Sequence, residues 1–202
     1  MANPAYINAA GVLSTTESWV ALASELRGSN VTTITFSNPS DGSSLDWSQF
    51  IDMVIVVYAR SSYTSSTTPR DCRLNLNNDT SANYSYQWLY ATGSSAAAAA
   101  TTGASYINCG WIPTSTAAAN IFGAAVTTLH DVNSGKYKSG VAQICSDQAG
   151  TTNYMMINAV TWRSQAALTE MDFTLSGGDF VTGSRIDLFG VLPSMLNTGT
   201  VA

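Results

Sequence analysis

The chain has 202 residues, a net charge of −5, 45% hydrophobic residues and only 10% charged ones. That balance excludes wholesale disorder, which needs low hydrophobicity and high net charge, and no apolar run nears the roughly 20 residues of a membrane-spanning helix. Eight scattered Lys and Arg are too dispersed to displace phosphate counterions, so neither nucleic acid nor an anionic membrane is an expected partner.

Residues 14–28 admit two readings. Ser14, Thr15, Thr16 and Glu17 fit a capping box, with Trp19, Leu22, Ala23 and Leu26 at helical spacing ahead of Gly28. The same stretch also reads as a strand, with Trp19, Ala21 and Ala23 opposite Val20, Leu22 and Leu26. From residue 31 onward, short β-prone runs alternate with turn residues, the pattern of a sandwich or barrel. Residues 31–37 are rich in Val, Thr and Ile and end at a turn through Pro39, Asp41 and Gly42. Residues 51–58 are almost continuously apolar, which predicts a central strand. Residues 70–76 alternate, with Cys72, Leu74 and Leu76 on one face and Asp71, Arg73 and Asn75 on the other.

An Asn-rich turn then leads into an aromatic run at 84–90. Residues 91–105 carry five consecutive alanines between Gly and Ser, and we read them as a surface loop because short isolated helices are marginal in water. Strands are expected again over 106–112, 120–132, 137–145, 153–162, 168–175 and 184–192. In the last, Ile186 and Leu188 oppose Arg185, Asp187 and Phe189, while Gly177, Gly178 and Gly183 stand where hairpin glycines do. The expected organisation is an N-terminal arm over 1–18, a β-sandwich domain over 19–192 and a C-terminal tail over 193–202. Nothing in the arm has the charge and apolar run of a secretory signal, so a cytosolic origin is expected.

Catalytic and metal signatures are missing from the sequence, so neither an enzyme, a cofactor nor a metal is expected. Cys72, Cys109 and Cys145 are odd in number and widely spaced, and read as three buried thiols. With His130 as the sole histidine, they fall short of zinc-ligand spacing, and a Cys–His nucleophilic pair has little to rest on. Asp41, Asp79 and Asp179 sit among turn residues and read as turn caps. Tyr63, Tyr84, Tyr86, Trp88, Tyr90 and Trp111 are the candidate aromatics for stacking on a ligand such as a glycan. For 84–88, packing inside the sandwich is favoured over sugar contact, because large aromatics mostly bury their area.

The segments Trp162-Arg163-Ser164, Gly183-Ser184-Arg185 and Phe189-Gly190, with residues 74–90, 119–125 and 135–139 upstream, resemble a domain of tailed-bacteriophage virion structural proteins. The likeness runs from about residue 19 to 191 and favours strand over helix for 19–26. It implies a jelly-roll-like antiparallel β-sandwich with extended arms that contact neighbouring subunits. It also implies a capsid decoration (cement) protein, acting as a homotrimer on the head shell, partnered by the major capsid protein and by copies of itself. Such a protein is assembled in the host bacterial cytoplasm and located on the capsid surface of the virion. The alternative is a receptor- or carbohydrate-binding module of a phage tail or capsid, with a host-surface glycan as ligand.

Overall fold

A computed structural model describes residues 19–39, 45–64, 68–148 and 152–192. Both terminal arms, and the turn at Asp41 and Gly42, lie outside the described residues. The described chain forms twelve strands: β1 (Trp19–Leu26), β2 (Thr33–Ser37), β3 (Asp52–Ala59), β4 (Arg70–Leu76), β5 (Tyr84–Thr92), β6 (Ser95–Ala104), β7 (Ile107–Ile112), β8 (Gly123–His130), β9 (Lys138–Gln148), β10 (Thr152–Trp162), β11 (Glu170–Leu175) and β12 (Arg185–Val191). They make two antiparallel sheets, one of eight strands in the order β1-β12-β3-β8-β9-β10-β5-β6 and one of four in the order β2-β11-β4-β7.

Eight of the strands nest as four antiparallel pairs, β1 with β12, β2 with β11, β3 with β8 and β4 with β7. Successive pairs alternate between the sheets, which is the connectivity of a jelly roll. Two hairpins interrupt it, β5–β6 between β4 and β7 and β9–β10 between β8 and β11. Both join the large sheet on the far side of β8, so that sheet runs four strands further. The small sheet has no counterpart to them, and its edge strand β7 is left running above this shelf.

The alternation read in residues 70–76 is the alternation of β4: Cys72, Leu74 and Leu76 are buried, and Asp71, Arg73 and Asn75 face outward. β3 is near the centre of the large sheet, with Met53, Ile55, Val57 and Ala59 inward and Val54 buried on the other side as well. Between the sheets, Phe36 of β2 meets Phe173 of β11 edge to face at 6.0 Å. Phe50 lies against Gly190 of β12, where an added Cβ would fall 2.4 Å from its ring. The glycine of the Phe-Gly motif is therefore the floor on which a core aromatic rests.

Three expectations are corrected. Residues 91–105 are not a loop: β5 and β6 form a hairpin closed at Thr92 and Ser95 by Gly93 and Ser94, with Gly93 at φ +56°. Alanine is a weak strand former, but a two-residue turn delivers the segment alongside an aromatic strand whose free backbone groups pair with it. In β1 the strand reading holds, but a bulge between Ala21 and Ala23 shifts the register, so Leu26 faces solvent instead of sharing Leu22's half-buried face. Cys72 and Cys109 are buried as expected, whereas Cys145 is exposed because its β9 position points away from the core.

Candidate functional site

Strand register decides where the candidate aromatics go. On β5, residues 84, 86, 88 and 90 all point toward the small sheet, opposite Trp162, Val160, Asn158 and Met156 of β10. Tyr84 is fully buried and stacks on Trp162 at 6.3 Å. Its hydroxyl accepts from the Leu76 N–H and donates to the Asp79 carbonyl, and burial pushes its pKa up to about 12. Tyr84 is a core residue with no face left for a ligand. Tyr86, Trp88 and Tyr90 are half-buried, since β7 covers only part of the shelf. Tyr86 packs on Trp88 at 5.2 Å and on Tyr106 at 6.3 Å, and burial raises its phenol above the ordinary value.

Trp111 and Tyr63 stand elsewhere. Trp111 projects from β7 at the step between the sheets, edge to face with Tyr90 at 5.4 Å and with Tyr154 of β10 at 5.7 Å. Its indole N–H donates to Asp71 Oδ1 at 3.1 Å, an oxygen that also accepts from Asn108 Nδ2. Tyr63 offers its ring to the Arg70 guanidinium at 4.8 Å, and Arg73 lies over Tyr106 at 4.5 Å. Trp111 is thus the one expected aromatic at an open cleft of about 460 Å³, lined also by Thr68, Pro69, Arg70, Asp71, Arg73, Tyr154 and Ser176. Tyr154 and Arg73 were not among the sequence candidates. Strand alternation does place Arg73 beside Asp71 on β4's outer face, and that signal was available in the sequence.

The opposite side of the shelf is a second candidate. Strand pairing lines up three outward rows across β8, β9, β10, β5 and β6: Ala124–Cys145–Met155–Ala91–Ala96, Val126–Gln143–Ile157–Leu89–Ala98 and Thr128–Val141–Ala159–Gln87–Ala100. None of the fifteen is ionisable except the Cys145 thiol. Leu89 is 60% exposed, Met155 56% and Ile157 48%. Strand spacing near 4.8 Å and a rise near 3.3 Å per residue make the face roughly 20 by 15 Å. A mostly apolar patch of that size is comparable to the largest patch on a typical monomer, which is often functional.

Several of the reactive groups have structural partners. His130 Nδ1 lies 2.9 Å from Asp52 Oδ2. Cys145 pairs with Ala124, six residues along β8 from His130, or about 20 Å at strand rise. Cys109 donates its thiol to the Cys72 carbonyl, and that neighbour together with burial raises the Cys72 thiol. Asp79 caps its turn by accepting from Ser81 N, Asn83 Nδ2 and Trp162 Nε1. Burial alone would raise its carboxyl, but these donors outweigh burial and hold it below the ordinary value. Lys138 is buried, donating to the Lys136 and Ser164 carbonyls, and burial lowers its pKa.

The resemblance motifs are likewise structural: Trp162 stacks on Tyr84, Arg163 donates to the Ala82 carbonyl, and buried Ser184 accepts from Arg60 N–H. Among the described residues no group of three or more His, Cys, Asp or Glu is placed to hold a metal. No described helix is long and apolar enough to cross a membrane. Compared with known proteins, the chain matches no family model, no curated protein and no solved structure.

Proposed function

We propose that this chain is a virion structural protein of the capsid-decoration type, a jelly-roll module that adheres to coat subunits and performs no bond-making chemistry. The observation that carries this reading is the outer face of β8, β9, β10, β5 and β6, three rows wide and free of charged side chains. Burying such a face strips water from no ionised group, which is the large cost at charged interfaces. It also opposes no carboxylate to a neighbour that itself carries a net charge of −5. Its occupant is a neighbouring copy of this chain, in a homotrimer seated on the major capsid protein at the capsid surface and assembled in the host bacterial cytoplasm. The likeness of the Trp-Arg-Ser, Gly-Ser-Arg and Phe-Gly segments to phage structural proteins supports the same setting.

Light scattering on the purified full chain tests the self-association, with a trimer expected. The double variant Leu89→Lys with Ile157→Lys should be a folded monomer. Purified particles should carry the chain in hundreds of copies. A monomeric parent protein at tens of micromolar, a double variant that still associates, or a handful of copies per particle would each refute the reading.

A further inference from the structure

We infer that the cleft beside Trp111 binds a neutral saccharide, holding a pyranose ring by its C–H face and its hydroxyls. The cleft follows from the topology, because β10 and β5 continue past β7 and leave a step with an aromatic wall. At about 460 Å³ it falls within the range of roughly 300–1,000 Å³ typical of small-ligand sites. Trp111 is fixed before any ligand arrives, its N–H held by Asp71 and its ring packed at steep angles against Tyr90 and Tyr154. A side chain already ordered loses little entropy on binding.

The polar groups define the ligand chemistry. Asp71 uses Oδ1 for both Trp111 and Asn108, and its Oδ2 has no partner among the described residues. Arg73 lies over the Tyr106 ring, its buried Nε has no hydrogen-bond partner, and it makes no ion pair among the described residues. Both point outward from β4, two residues apart. A carboxylate only accepts hydrogen bonds and a guanidinium only donates them, whereas a hydroxyl does both. Adjacent hydroxyls on one ring therefore suit this pair. Asp71, fixed beside the Trp111 indole, opposes a phosphate or sulfate at the stacking position, and Arg70 and Arg73, which also line the cleft, would repel an amine. The apolar face of a sugar ring matches the indole of Trp111. The site does not depend on the coat-protein reading, for it lies on the other side of the shelf from the adhesive face.

The test is to apply the intact chain to an array of neutral and acidic glycans and to titrate any it retains by tryptophan fluorescence. Saturable binding of neutral glycans is expected, at least tenfold weaker in Arg73→Gln and in Tyr154→Ser, with unfolding midpoints near the parent's. The double variant Leu89→Lys with Ile157→Lys should bind as the parent does, which separates this site from the assembly surface. Retention of no glycan, retention of acidic glycans only, or affinity untouched by both cleft variants would overturn the assignment.

Discussion

The eight jelly-roll strands and the four inserted ones solve burial differently. In the roll, each sheet covers the other: Ile34, Phe36, Met53, Ile55, Leu74, Phe173 and Leu188 are all sealed between them. In the insert, cover runs out strand by strand. The inward residues of β9 are all buried, β10 and β5 keep half-exposed Tyr154, Tyr86, Trp88 and Tyr90, and β6 is open along most of its length. The roll spends its apolar residues on stability, while the insert leaves a cleft on one side and an uncharged face on the other. Both candidate surfaces exist because one sheet is twice as wide as the other.

Substitutions can break or sharpen that contrast. Phe173→Ala empties a sealed position and should cost about 3–5 kcal/mol, read from urea unfolding. Trp88→Ala, on the half-covered shelf, should cost about 1–2 kcal/mol, despite removing more side chain. Equal costs would mean that the shelf is part of the core. Gly190→Ala forces a methyl into the Phe50 ring and should destabilise by about 1–3 kcal/mol.

Asp79→Asn weakens the cap that joins the β4–β5 turn to Trp162 and should cost about 1–2 kcal/mol near neutrality. The sign with pH is fixed. The folded carboxyl titrates below its ordinary 3.8, so its contribution is complete above that value and is lost as pH falls through the lower folded value. The gap between parent and variant should therefore close in acid, measured as the difference in unfolding midpoints. Leu89→Lys should shift folding stability by no more than about 0.5 kcal/mol, since its side chain touches no core. Under the proposed self-association, its effect falls on assembly.

Much of the fold was readable in advance because alternation is a local property. Cys72, Leu74 and Leu76 against Asp71, Arg73 and Asn75, or Ile186 and Leu188 against Arg185 and Asp187, announce a two-faced strand whatever lies across from them. The alanine run was not readable, because its conformation is decided by β5, which pairs with it residue for residue from Thr92 to Ser85. The candidate site was half legible. The aromatics of 84–90 could be picked out by type, but whether each is core, wall or ligand surface depends on how far β7 reaches over them.

By itself, the sequence determined an all-β chain and the inward face of most strands. These follow from side-chain period and composition, which every residue carries with it. Tertiary structure alone decided that β5, β6, β9 and β10 widen one sheet, that Tyr84 is sealed while Trp111 is half-buried at a cleft, and that fifteen uncharged residues from five strands share one face. Those facts are pairings between segments as far apart as Gln87 and Ala159. No local pattern encodes such a pairing, since its free energy comes from surface that both partners remove from water together.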